Sequence, residues 1–198
     1  MPESLAQNRP TAKCRLALTL GVKVTKMRIS IAEENEHESL VDLLCDLYSY
    51  YSVGAEVERE SVHEHLRENL LGIESNIKLV IAQHPERGVV GLAAIYFTYS
   101  IVDPSPNSRK QCVLKELFVK SSDRSNGIGR ALVAWIACHA LENGCSRMDW
   151  NVKATNDQGL SFYKSVGAEY VAERMSFRLT FQSMQALTSN FAGHRVDA

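Results

Sequence analysis

A chain of 198 residues with 45% hydrophobic and 23% charged side chains has the size and balance of one soluble globular domain, with length enough for a sizeable core. The formal charge is −1, but five of the 22 basic residues and one of the 23 acidic residues fall in residues 1–26, so the remainder carries 17 against 22. That mildly acidic body argues against general nucleic-acid binding, and the longest apolar runs fall short of the ~18–20 residues that span a bilayer.

Residues 1–26 are basic and read as an unstructured extension ahead of a domain that starts near Met27; "RLALTLGV" is apolar but short, with no clear small-residue cleavage site. "RISIA" (28–32) alternates as a strand does. "EHESLVDLLCDLYSYY" places Leu40, Leu43, Leu44 and Leu47 at helical spacing, and "ERESVHEHLRENLLG" reads as a second, polar helix. "IKLVIAQ" and "GVVGLAAIYFTYS" read as strands about the turn "HPERG". After the proline-bearing loop "IVDPSPNSRK" comes the strand "QCVLKELFVK". "DRSNGIGRALVAWIACHALENG" is a glycine turn and a helix whose Ile128, Leu132, Ile136 and Ala140 recur every fourth residue, with Gly144 as its C-cap. "RMDWNV" is a strand, "NDQGLSFYKSV" a short helix capped by Asn156 or Asp157, and "AEYVAE" with "MSFRLTF" a final strand pair. The order predicts a mixed sheet with helices on its faces.

The five cysteines (Cys14, Cys45, Cys112, Cys138, Cys145) are odd in number and form no CxxC, so they read as reduced and mostly buried in a cytoplasmic protein. No His/Cys spacing suggests zinc, and no metal is expected.

The glycine turn carries the chemistry. As a dinucleotide fingerprint it fails: Gly127 and Gly129 fit, but Leu132 stands where the third glycine belongs, and "KSSDRSN" separates the turn from its strand. Asp149, twenty residues after Gly129, is a tempting ribose ligand that cannot offset this. GxxxxGK[ST] is absent, which excludes a P-loop. What remains is Arg124, Asn126, Gly127, Gly129 and Arg130 at a helix start, where unpaired N–H groups and the helix dipole favour an anion. A phosphate-bearing carrier nucleotide suits this turn better than a nucleotide being hydrolysed.

"RSNGIG" resembles the R-x-x-G-x-G/A signature of the GCN5-related N-acetyltransferases, and "NDQGLSFYKSVGAE", about 30 residues on, resembles that family's N…F-Y-x-x-x-G-A segment. The resemblance covers about residues 28–182, and "GLAAIYFTYS" and "LKELFVKSSD" look most like the diamine and thialysine branch. It implies an α/β (α+β) fold, a mostly antiparallel sheet of six to seven strands with about four helices. It also implies an acetyltransferase domain over 27–182 and a C-terminal helix or tail over 183–198. Acetyl-CoA is the implied co-substrate. Arg124, Gly127, Gly129 and Arg130, with the N–H groups of Asn126 and Ile128, would hold its pyrophosphate. The backbone of Leu117, Phe118 and Val119 would pair with its pantetheine arm, and Asn156 would contact it. Tyr163 would be the general acid beside the sulfur, also touching the cofactor. Ser125 and Asn126 depart from the usual signature residues at positions that work through backbone.

Glu116, flanked by Leu114, Leu117 and Phe118, is placed to accept the amine proton or to orient a cationic acceptor. Tyr48, Tyr50, Tyr51, Glu56 and Glu58 form an aromatic and acidic patch that either lines an amine site or is an ordinary exposed loop. His63, His65 and His139 read as surface or packing residues. The resemblance implies a small-molecule primary amine as acceptor, such as a polyamine, an amino acid derivative or an aminoglycoside, although Arg109 and Lys110 would repel a polycation if they stood at the mouth. A protein lysine or N-terminus, or a domain that binds acyl-CoA without turnover, are the alternatives. No nucleic-acid or membrane partner is expected, and the resemblance allows a homodimer.

Overall fold

The computed structural model describes residues 27–52 and 55–192, which fall into two compact units dividing after Lys153. The extension expected over residues 1–26 lies outside the described residues.

The first unit is a five-stranded sheet in the order β1–β2–β3–β4–β5, formed by β1 (Arg28–Ile31), β2 (Lys78–His84), β3 (Gly88–Tyr99), β4 (Lys110–Val119) and β5 (Arg147–Asp149). The first four strands pair antiparallel, whereas β5 joins β4 in parallel. A parallel neighbour needs a crossover, and α3 (Ile128–Glu142) supplies it. Between β1 and β2 run α1 (His37–Tyr51) and α2 (Arg59–His65), the latter continued by a wider turn over Leu66–Leu70.

Seven consecutive residues of β3, Val89 to Ile95, are buried, so this strand is covered on both faces. On one face Leu40, Val41 and Leu43 of α1 and Val62 of α2 pack with Leu79, Ile81, Leu92 and Phe118. Ala82 points the other way, because adjacent strand residues alternate. There it meets α3 across Gly91: a Cβ at that glycine would lie 3.1 Å from Ile128 Cγ2, 3.2 Å from Leu132 Cδ1 and 3.4 Å from the Ala82 Cβ. The missing side chain lets the start of α3 sit directly on the sheet. Helix α3 is buried at the expected Ile128, Leu132, Ile136 and Ala140, and also at Val133, Trp135 and His139. It stops after Glu142 in a Schellman motif, Gly144 N–H to Leu141 O and Cys145 N–H to Ala140 O.

The second unit holds α4 (Asp157–Ser165) and α5 (Phe181–Ala192). The expected final strand pair does not form: residues 168–180 carry neither helix nor strand, and residues 169–180 are exposed throughout. Alternating polarity marks a chain suited to a ladder, but a strand exists only where partner backbone takes up its N–H and C=O groups. The described residues therefore show five strands and five α-helices, fewer strands than the six to seven expected. Cys45, Cys112 and Cys145 are free thiols, while Cys138 is disulfide-bonded, which corrects the expectation that all five are reduced. Among the described residues no helix is long and apolar enough to cross a membrane.

The seating of α3 is testable. Gly91→Val adds a branched side chain where a single Cβ is already tight, so unfolding free energy should fall by about 1–3 kcal/mol. Denaturant unfolding measures this; unchanged stability would show that α3 does not rest on Gly91.

Candidate active site

Between β4 and α3 the chain makes a one-turn 3₁₀ segment, Ser121–Asp123, and then passes twice through left-handed backbone, at Ser125 (φ 64°) and Gly127 (φ 79°). Serine pays roughly 1 kcal/mol or more to occupy that region, and such strain gathers at ligand-binding turns. Gly127 is the N-cap of α3 and has no side chain to cap it. Its carbonyl takes the first helical bond from Ala131 N–H at 3.0 Å, while the N–H groups of Ile128 and Gly129 lie in the first turn, where helix geometry provides no internal acceptor. Asn126 Nδ2 donates to Asp123 O at 3.3 Å.

This turn is held from beneath. Asp123 is 2% exposed, pairs with Arg87 of the β2–β3 turn and accepts from Ser122 Oγ at 2.7 Å. Arg124 Nε donates to Val119 O at 3.0 Å, and its guanidinium carbon lies 5.2 Å from the Tyr50 ring centroid and 5.6 Å from that of Phe118. One of five guanidinium donors is used in this placement, and the aromatic faces steady the charge.

The strand that feeds the turn has an open edge. Of the ten residues of β4, β5 pairs only with Gln111, Cys112 and Val113. Lys120 N–H donates to Val90 O at 2.9 Å, so residues 118 and 120 turn their backbone groups toward β3. By alternation Leu117 and Val119 turn theirs to the opposite edge, consistent with Val119 O accepting from Arg124. Phe118 therefore contributes its ring to this region, under Arg124, while its N–H and C=O face β3. A β-bulge lies just upstream: Ala94 pairs Glu116 and Ile95 pairs Leu114, leaving Lys115 extra. Bulges of this kind re-aim a side chain, and here the next residue is Glu116.

Glu116 accepts from the Tyr51 hydroxyl at 3.1 Å (Oε1) and 3.3 Å (Oε2), and from Leu117 N–H at 3.2 Å. Burial pushes its carboxyl above the usual carboxylate value, against the pull of those hydrogen bonds and of Lys115 and Lys153. The Tyr50 ring is tilted against Phe118, centroids 5.9 Å apart, and edge-on to Tyr51, 5.2 Å apart. Two tyrosines of the aromatic patch thus join β4 and Arg124. Glu56 is exposed beyond the end of α1 and, among the described residues, forms no hydrogen bond or ion pair with them.

In the second unit Asn156 caps α4, its Oδ1 accepting from Gly159 N–H at 2.9 Å. Tyr163 lies edge-on to Phe162, centroids 5.2 Å apart. Gly167 (φ 89°) ends α4 in a second Schellman motif, with Gly167 N–H to Lys164 O and Ala168 N–H to Tyr163 O, both at 3.0 Å. The glycine and alanine of "FYKSVGA" thus stop a helix, a role that only a left-handed residue fills cheaply.

Arg109 and Lys110 stand at the far end of β4. Six residue steps along the strand lead from Lys110 to Glu116, roughly 20 Å, beyond the ~8 Å screening length of physiological salt. Lys110 Nζ lies over Phe97, 4.8 Å from its centroid. These cations therefore do not weigh against a cationic acceptor at Glu116. His139 is buried between Phe97 and Trp135, and burial with Lys78 and Lys110 nearby holds its pKa below the ordinary value, as befits a packing residue. Asp123, Arg87 and Lys153 were not legible as site residues. Arg87 and Asp123 lie 36 positions apart, and nothing local marks them as a pair.

The family model described as the acetyltransferase (GNAT) family matches residues 38–168. The thialysine N-epsilon-acetyltransferase of Mus musculus is 33% identical over 107 residues, 50% of this chain and 57% of that protein. The L-ornithine N5-acetyltransferase of Arabidopsis thaliana is 29% identical over 84 residues, 42% of this chain and 37% of that protein. Both alignments span less than two thirds of the relative's length. An integron cassette protein from the mobile metagenome of V. cholerae superposes with a TM-score of 0.74 at 27% identity, covering 83% of this chain and 98% of its own. AAC(6')-Iy, in complex with the bisubstrate analogue CoA-S-monomethyl-acetylneamine, shares the fold with a TM-score of 0.59 at 17% identity, covering 79% of this chain and 99% of its own.

The environment of Glu116 makes a prediction with a definite sign. A carboxyl whose folded pKa is raised contributes stability that is fully present below its unfolded value and lost as pH rises through the raised one. Glu116→Gln removes that loss. The variant should be more stable than the native chain at pH 7, and the gap should close as the solution is acidified below about pH 4. Urea unfolding at both pH values checks this; a variant that is less stable at pH 7 contradicts it.

Proposed function

The chain belongs to the GNAT acetyltransferase family, and from that premise we propose that it moves the acetyl group of acetyl-CoA directly onto a primary amine of a small molecule within a ternary complex. The observation that carries this reading is the open edge of β4 running straight into an uncapped helix start with two left-handed residues. One feature fits an extended amide-bearing arm, the other a pyrophosphate.

The residues fit such a co-substrate. Arg124, Gly127, Gly129 and Arg130, with the N–H groups of Asn126 and Ile128, are assigned to the pyrophosphate. Leu117 is assigned to the arm through its C=O and Val119 through its N–H, since Glu116 takes the Leu117 N–H and Arg124 the Val119 O, and Phe118 through the ring that carries Arg124. Asn156 is assigned to the cofactor through its amide nitrogen, since its oxygen is taken by the helix cap. Bound acetyl-CoA supplies an acetyl group already activated as a thioester.

The protein must then supply a neutral amine and a proton for the departing sulfur. An alkylamine with a pKa near that of lysine, ~10.4, is neutral in fewer than about one molecule in a thousand at pH 7. Glu116, held by Tyr51, receives the amine proton, directly or through water, and its raised pKa makes it a better base than an exposed carboxylate. A Val119 N–H aimed at the developing negative oxygen would contribute about 3 kcal/mol, as an oxyanion donor does. Tyr163 gives its phenolic proton to the departing sulfur. The amine is that of a polyamine, an amino acid derivative or a similar small molecule. The names of the mouse and Arabidopsis relatives, which acetylate side-chain amines of amino acids, support that class.

Release of free CoA with a panel of amines tests the reading, and turnover with none of them, despite acetyl-CoA binding, sinks it. Tyr163→Phe should lower kcat by about 10²-fold or more while the KM for acetyl-CoA stays within about threefold; an unchanged kcat removes Tyr163 from the mechanism. Gly129→Glu should abolish acetyl-CoA binding measured by calorimetry, because its carboxylate repels the phosphates at the helix start. A folded variant with native affinity would refute the pyrophosphate assignment.

A further inference from the structure

Glu116 does not sit alone at the acceptor position. Lys153 Nζ lies 5.2 Å from the centroid of the Tyr51 ring, whose hydroxyl donates to both oxygens of Glu116. One aromatic side chain therefore carries an anion at its hydroxyl and a cation on its face. Of the other cations described around this point, only the exposed Lys115 on the bulge is not engaged. Arg124 is held by Val119 O, Tyr50 and Phe118; Lys120 pairs with Asp46 at 3.2 Å; Arg59 pairs with Glu38 and Asp42 at 2.7 and 3.0 Å. Among the described residues no carboxylate forms an ion pair with Lys153, so its charge is left for a ligand.

The transfer reaction has no use for this lysine. Placed beside a carboxylate that must hold or deprotonate an ammonium group, it weakens the hold, and the bulged Lys115 adds to that effect. A polyamine, cationic at every nitrogen, meets net repulsion there. A zwitterion does not: with its side-chain amine at Glu116, its carboxylate reaches across one aromatic ring to Lys153. A chain of three or four methylenes makes that span.

Resting on the acetyltransferase reading above, we propose that Lys153 is a specificity-determining residue that binds the carboxylate of the acceptor, so that the preferred substrates are amino acids bearing a side-chain amine rather than the corresponding polyamines. Tyr51 positions both charges, through its hydroxyl on one and its ring on the other.

The test uses pairs of acceptors that differ only in the carboxylate: ornithine against putrescine, and lysine against cadaverine, with lysine methyl ester as a third probe. For the native chain, kcat/KM should favour each amino acid over its diamine and over the ester by roughly tenfold, the size of a charge-assisted hydrogen bond. Lys153→Met should bring the ratio close to one, and Lys153→Glu should invert it. Each ratio is taken within one preparation, so a loss of folded protein cancels. A native enzyme that prefers the diamines, or a ratio unmoved by both substitutions, overturns the proposal. Calorimetric titration of ornithine and putrescine into protein saturated with CoA reads the same preference without turnover. If no amine is acetylated, the acetyltransferase reading fails, while the binding ratio still decides the role of Lys153; equal binding, or none, overturns it.

Discussion

The short ladder between β4 and β5 is the constraint from which the rest of the site follows. Ten residues of β4 meet three of β5, so one edge of β4 is left facing away from β3 with backbone groups that seek partners. An edge of this kind invites pairing with any extended chain, and folds normally blunt it. Here it is kept, and the chain leaves it through a turn that presents more unpaired N–H groups at the start of α3. The two features are continuous because Asp123, buried and paired with Arg87, fixes the intervening 3₁₀ segment, and because Gly91 lets α3 press against the sheet. Loosening either contact would move the helix start relative to the strand edge, although neither residue touches a ligand in the proposed mechanism.

Much of this architecture was legible because it is periodic or local. The four-residue spacing of Ile128, Leu132, Ile136 and Ala140 marks the buried stripe of α3, and the glycine signature marks its start. The loop "KSSDRSN" between strand and glycine, which excluded a dinucleotide fold, is the segment that Asp123 anchors. What was hidden is non-local or depends on register. The Arg87–Asp123 pair joins segments 36 residues apart, and the bulge at Lys115 exists only relative to β3. The alternation in residues 168–180 signalled strands, yet polarity cannot report whether a partner edge is available. The "FYKSVGA" segment mixed two kinds of information: its glycine and alanine terminate α4, so part of what looks like a functional motif is helix punctuation.

The charges around Glu116 show the same interplay of fold and function. Its flanking residues Leu114 and Phe118 are buried, and desolvation raises its pKa; Tyr51, Leu117 N–H and two lysines restrain the rise. Burial and these partners act on one carboxyl in opposite directions, and burial prevails. That balance also explains why the tyrosines at the end of α1 belong to the site: they are the means by which a helix on one side of the sheet reaches a strand residue that the bulge has turned outward.

Local rules are broken here within a short stretch of chain. Between Leu114 and Gly127 lie an incomplete ladder, a bulge, a desolvated carboxylate, a serine in left-handed backbone and a helix start without a side-chain cap. Elsewhere in the first unit the sequence obeys its own logic: β2 and β3 are apolar where both faces are covered, and α3 ends on a fully bonded Schellman glycine. A chain under selection for stability alone would relieve these defects cheaply, with glycine at position 125 and an amide at position 116. Among the described residues, the outward Val119 N–H and the first N–H groups of α3 are donors that the ladder and the helix leave open, and an acyl carrier would satisfy them. The concentration of irregular backbone in these fourteen residues is thus a physical ground for placing the proposed chemistry here, independent of any single residue's assigned role.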